Sequence, residues 1–159
     1  MDEIKRVASV YYLGIVIGYF SKEDVIKWAD SVIEYFEGIV SDKLIELSLS
    51  VQRNKEDVAS KLINIIDGEF FNNAQNVFYG IFLSDIKNKK VTFDTVITML
   101  YLILNQQYII LSDEEYQKIM YLSDGYYLAT EGIYGDIQKI ENETIDFLEE
   151  YAIYCSLNL

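Results

Sequence analysis

An all-α fold is predicted for this chain, and three observations predict it. Apolar residues recur at helical spacing over most of its length, cap residues followed by carboxylates open several of these stretches, and glycines close them. No stretch rich in proline or serine divides the 159 residues, so one compact helical domain over 1–159 is expected. A chain of this length buries roughly 70% of its unfolded surface and needs no disulfide or metal to hold together.

The elements follow in order. The apolar run Val7–Phe20 places a helix over about 2–19, too short for the roughly 20 apolar residues of a membrane span. Val25, Trp28, Ala29, Val32 and Phe36 form one amphipathic stripe and predict a helix over 22–37. A short helix over 42–50 comes next, then one over 55–67 marked by Val58, Leu62, Ile65 and Ile66. Phe70, Ala74, Val77, Phe78, Ile81 and Phe82 give a more apolar helix over 69–88. The remaining helices are expected over 93–107, 113–130 and 143–157, a total of seven or eight. Val91-Thr92-Phe93 and Tyr108-Ile109-Ile110 also have the composition of short strands, but the helical pattern around them favours helix ends.

Capping chemistry agrees with the periodicity. Ser21-Lys22-Glu23-Asp24 and Ser112-Asp113-Glu114-Glu115 set a serine three residues before a carboxylate, and Asn54-Lys55-Glu56-Asp57 repeats the layout with asparagine. Acids in a first turn complement the positive end of the helix dipole. Gly38, Gly68 and Gly132 stand where the stripes end. Lys22-Glu23-Asp24-Val25 recurs as Lys55-Glu56-Asp57-Val58, which suits either stacked helical hairpins or capping chemistry alone; the lack of an apolar consensus repeating with it favours the second. Gly14 and Gly18, four apart, suggest a close helix crossing, and Gly125, Gly132 and Gly135 read as turn residues.

Composition excludes much chemistry. With no histidine there is no Ser/His/Asp triad, no Cys/His nucleophile and no imidazole ligand. The single cysteine, Cys155, has no partner for an internal disulfide; its apolar neighbours Ile153 and Tyr154 predict a buried, inert thiol, and a reducing, cytoplasmic setting is expected. The acidic start Met1-Asp2-Glu3 is unlike the basic opening of a signal peptide. Glycines offer no nucleotide fingerprint, and the run Asp113-Glu114-Glu115 points three ways around a helix axis instead of converging on a metal. No catalytic residue, cofactor or metal is expected.

Charge and tyrosine carry the functional expectation. Residues 1–112 hold fifteen acids and eleven bases, a net of −4; residues 113–159 hold eleven acids against Lys118 and Lys139, a net of −9. The same last third holds seven of the fourteen tyrosines. A net charge of −13 argues against nucleic-acid or anionic-membrane binding, both of which need a basic face. Tyrosine supplies stiff contact area with a polar tip, and a negative field steers a basic partner to it. The expected partner-binding residues are Asp113, Glu114, Glu115, Tyr116, Tyr126, Tyr127, Glu131, Tyr134 and Asp136.

The segment Gly18-Tyr19-Phe20-Ser21-Lys22-Glu23-Asp24-Val25-Ile26-Lys27-Trp28-Ala29 resembles the opening of small acidic helical proteins from bacterial toxin–immunity loci, with their Gly-x-x-Ser-x-Glu-Asp-Val-Ile-x-Trp-Ala pattern. Leu44-Ile45-Glu46-Leu47-Ser48 is similar to their second short helix. The resemblance covers about the first seventy residues and implies no catalytic residues. It implies a cytosolic immunity or antitoxin-like protein that neutralises a cognate toxin, and the acidity adds the expectation of a basic partner such as a nuclease toxin; a helical scaffold without inhibitory role is the alternative.

Overall fold

The computed structural model describes residues 3–156, with side chains through Tyr154; the thiol of Cys155 lies outside the described side chains. Among the described residues eight α-helices follow one another: α1 (Glu3–Ile17), α2 (Lys22–Tyr35), α3 (Asp42–Ser48), α4 (Lys55–Ile66), α5 (Ala74–Lys87), α6 (Phe93–Ile103), α7 (Asp113–Thr130) and α8 (Ile137–Glu149). A 3-10 turn over Ala152–Ser156 comes last. Among the described residues there is no strand: Thr92 caps α6 by accepting from the Thr95 amide at 3.2 Å, and Tyr108–Ile110 lies in the link before α7. No helix among the described residues is long and apolar enough to cross a membrane.

The predicted caps are in place. Ser21 and Ser112 each form a full capping box, with Asp24 and Glu115 returning to the cap backbone, and Asn54 accepts from the Asp57 amide at 2.8 Å. Gly18 ends α1 in the left-handed region (φ +83°), with the Tyr19 amide donating to the Gly14 carbonyl at 2.8 Å. A side chain there would meet nothing within 4 Å, so Gly18 is a helix stop and not part of a tight crossing.

Four helix boundaries differ by more than three residues from the sequence expectation. α8 ends at Glu149, not 157, and gives way to the 3-10 turn over Ala152–Ser156. The three others differ for local reasons. The segment before α5 is held out of the helix by the Lys5–Glu69 ion pair at 2.8 Å and by the Phe71 amide donating to Ser9 Oγ at 3.1 Å. α6 stops early because Asn105 and Gln106 turn their side-chain amides back onto the carbonyls of Tyr101 and Leu102, at 3.3 and 2.9 Å. α8 begins six residues before the expected start at 143, because Asp136 Oδ1 accepts from the amides of Gln138 (2.8 Å) and Lys139 (3.4 Å).

The residues group into two compact units, one running to Ala74 and one beginning at Gln75. In the first, α1 packs along α4, and α3 packs against α2 and α4. Val25 and Val58, the equivalent positions of the repeated tetrapeptide, are both fully buried in this core, beneath capped helix starts. Tyr11 stacks on Trp28 with centroids 5.0 Å apart and meets Phe20 at 4.7 Å. The α2 stripe enters this core at Val25, Trp28 and Ala29, but its last member, Phe36, lies beyond the helix and is exposed.

In the second unit α7 packs between α6 and α8. Tyr79 of α5, wholly buried, joins Phe147 and Tyr151 in a ring cluster with centroids 4.7–5.5 Å apart. Gly125 is not a turn residue: it lies inside α7, where a Cβ would stand 2.7 Å from Ile140 Cδ1. Its missing side chain is what lets α7 and α8 approach closely.

Candidate functional site

α7 is eighteen residues long and advances 100° per residue, so its sequence sorts into faces. Ile119, Leu122 and Ala129 share the inner face and are buried. The opposite face carries Asp113, Tyr116, Asp124, Tyr127 and Glu131, all exposed; Tyr116 and Tyr127 line one flank of it, 43% and 61% accessible. Four of the nine predicted partner-binding residues, Asp113, Tyr116, Tyr127 and Glu131, are therefore on one helix face. Tyr134, in the link between α7 and α8, is 79% accessible, next to the equally open Ile133.

The other four serve different surroundings. Glu115 Oε2 accepts from the backbone and hydroxyl of Ser112 at 3.0 and 3.1 Å, which closes the capping box. Asp136 caps α8. Tyr126 is half-buried toward the interior of the unit, where burial, and then the charges of Glu141 and Asp94, push its phenol up. Glu114 is exposed and points to a different quarter of α7 from Asp113, as the 100° step between neighbours requires.

Glu114 lines a cleft where the start of α7 meets the end of α8. Its walls are Ser112, Glu114, Glu115, Lys118, Phe147, Glu150 and Tyr151, and its volume is about 370 Å³. Burial first, then the carboxylates of Glu115, Glu150 and Glu114, with the nearby Tyr154, hold the Tyr151 phenol up at about 12. The single cation in the lining, Lys118, sets its ammonium 5.4 Å from the centroid of the Tyr121 ring. Tyr121 is in turn hydrogen-bonded to Glu143, and that bond, more than burial or charge, raises its phenol.

Ion pairing separates the two units. Lys5–Glu69, Lys22–Glu23, Lys43–Asp67 and Lys61–Glu46 pair acids of the first unit at 2.8–3.8 Å. Among the described residues from 113 onward, the ion pairs are Lys139–Glu143 at 3.9 Å and Lys87–Glu149 at 2.9 Å. A larger hollow of about 500 Å³ in the first unit is lined by Ile4, Lys5, Phe36, Ile39, Val40 and Lys43, but both of its lysines are already paired, to Glu69 and Asp67. It therefore presents little net charge to a ligand. No group of three or more carboxylate or thiol ligands among the described residues is arranged to hold a metal.

Sequence reasoning missed Asp124, Glu150, Phe147 and Tyr151 as surface or cleft residues. Asp124 was findable: it stands eleven positions after Asp113, three helical turns on the same face. The cleft residues were not, because α7 and α8 meet only through tertiary packing. No protein-family model, curated protein or solved structure matches this chain.

Proposed function

We propose that this chain is a non-catalytic, cytosolic binding protein of immunity or antitoxin type, which docks its α7 surface on a basic protein and occludes it. The observation that carries the reading is the exposed α7 face, where Asp113, Asp124 and Glu131 stand without an ion pair among the described residues, beside Tyr116 and Tyr127. Unpaired carboxylates on a surface raise the on-rate for a basic partner, and open tyrosines supply the desolvated contacts that hold it. The resemblance over Gly18–Ala29 supports a helical frame of the same kind, since its residues are the α2 cap and the Val25, Trp28 and Ala29 core.

Occlusion is steric and electrostatic: acids occupy the positions that phosphates of a nuclease substrate would take, and tyrosines fill the cleft around them. A stable complex needs about 1,200–2,000 Å² of total buried surface, and the exposed 131–137 link beside α7 extends the surface available to it. A scaffold or self-assembly role is the second reading, favoured by the open apolar side chains of the first unit, Tyr35 (81%), Ile39 (85%) and Leu49 (77%).

Co-expression with the products of the genes flanking its own tests the choice. Immunity function predicts that one flanking product is basic, binds tightly and loses its toxicity on binding. If no flanking product binds, while the purified chain self-associates through the first unit, the scaffold reading takes over. Stopped-flow association should slow at least about tenfold between 0.01 and 0.15 M salt, as the screening length falls from about 30 to about 8 Å. A salt-independent rate removes electrostatic steering.

A further inference from the structure

We propose that the cleft between the start of α7 and the end of α8 receives the guanidinium of an arginine side chain presented by the partner protein. The proposal rests on the reading of the chain as a binder of a basic protein and names the group that this cleft takes from it.

Three observations converge on the cleft. The first is a charge arrangement that breaks local rules. α8 has no basic residue in its last turn and ends instead in Glu149 and Glu150, at the negative pole of the helix. Acids there are unfavourable. Glu149 is compensated by Lys87 at 2.9 Å, whereas Glu150 has no ion pair among the described residues. Glu114 and Lys118 have the spacing of a helical ion pair, yet the Lys118 ammonium lies over Tyr121 and Glu114 stays unpaired. A local rule broken without internal compensation is expected where a ligand supplies the compensation.

The second observation is a set of shielded polar atoms with no partner. Glu115 Oε2 is used by the capping box, but Oε1 is buried and accepts nothing. The hydroxyl of Tyr79, a fully buried side chain, is also unpartnered; its ring packs on the cleft walls Phe147 and Tyr151, and it lies in the field of Glu115. Native proteins rarely leave such atoms unmatched, and these two adjoin the cleft. The third is shape and lining. About 370 Å³ holds a side-chain head group, and the Tyr151 and Phe147 rings among three carboxylates suit a flat cation that stacks and donates several hydrogen bonds at once. An ammonium, compact and strongly hydrated, uses less of that lining.

The test uses the intact chain and the probe N-acetyl-arginine methylamide, followed by amide chemical shifts, with the lysine analogue in parallel. The expected result is saturable shifts confined to the start of α7 and the end of α8, with arginine at least about fivefold tighter than lysine. Glu150→Gln and Glu114→Gln should each weaken arginine binding at least about threefold. Both residues are exposed, and Glu150→Gln should keep or raise the melting temperature, so loss of binding is not loss of fold. The face variant Asp113→Asn should leave the titration unchanged. Diffuse or unsaturable shifts, equal affinity for lysine, or indifference to Glu150→Gln overturns the proposal. The titration needs no partner, so the two readings fail separately. A cleft that ignores arginine while the protein still binds a basic partner sinks this proposal alone, and a cleft that takes arginine when no basic protein binds sinks only the docking function.

Discussion

The starts of α2 and α7 use the same local device in opposite electrostatic settings. Each opens with a serine whose hydroxyl accepts from the third helical amide, and each receives a carboxylate back onto the cap backbone. Around α2, Lys22 pairs with Glu23 and Lys27 lies near Asp24; the Ser21 hydrogen bonds hold the Asp24 carboxyl below the usual range, with Lys27 adding a little. Around α7, Asp113 and Glu114 have no ion pair among the described residues, and the Lys118 ammonium of the adjoining cleft lies over Tyr121. One device can therefore end a structural argument in the first case and begin a functional one in the second. Capping explains why acids are at a helix start, but not why the rest of that surface lacks bases.

Exchanging charges between the two starts should give the largest effect. Neutralising Asp113, Asp124 and Glu131 as amides should weaken partner binding by at least about 2 kcal/mol, roughly thirtyfold, at little cost in melting temperature. Neutralising Glu23, Asp24, Glu56 and Asp57 should do the reverse, lowering the melting temperature with affinity per folded molecule nearly intact. Calorimetry and thermal melts on both sets decide it. If the first-unit set abolishes binding and the α7 set does not, the docking surface is on the wrong unit.

Packing behind the α7 surface comes next. Gly125→Leu should destabilise by about 1–3 kcal/mol in denaturant titration, because the added atoms collide with Ile140. Gly125→Ala should cost less, since the atom it meets is the free end of the Ile140 side chain. Equal costs would mean that α7 and α8 separate readily, and that the cleft they form is soft.

The caps themselves should then be equivalent. Ser21→Ala and Ser112→Ala should each cost about 1 kcal/mol, since both remove the same bond to the same helical position. A clearly larger loss at Ser112 would show that the α7 box holds the cleft in shape as well as the helix end.

Titration gives the smallest and most selective contrast. Asp24, lowered in the folded state, adds stability that is present above its unfolded value near 3.9 and is lost as pH falls through the lower folded value. Tyr151, raised to about 12, adds stability that is fully present below the unfolded phenol value near 10 and is lost as pH rises from there toward 12. Acid should therefore loosen the α2 start and alkali the cleft. Asp24→Asn should reduce the slope of the acid limb of a stability–pH curve, and Tyr151→Phe that of the alkaline limb. The raised phenols of Tyr11, Tyr79, Tyr121 and Tyr126 also contribute to the alkaline limb. If either variant changes only the other limb, the assignment is wrong.

Helix identity was written in the sequence because its determinants are local. Caps at Ser21, Asn54 and Ser112 act within three residues, and the stripes through Val25 and Val58 need only the 3.6-residue period. The same locality explains the misses. In the sequence Asp136 looks like a surface acid, because an N-cap and an exposed carboxylate are alike until the helix behind it is seen, and Gly125 looks like a turn residue, because its reason, Ile140, is fifteen residues away. Net charge in the last third was also legible, being a sum over composition. Which of those charges stand unpaired was decided only by folding. Tertiary packing brought Glu150 and Tyr151 to Glu114 and turned Tyr126 inward. Pairing depends on distances of a few ångströms between residues far apart in the chain, which no local pattern encodes.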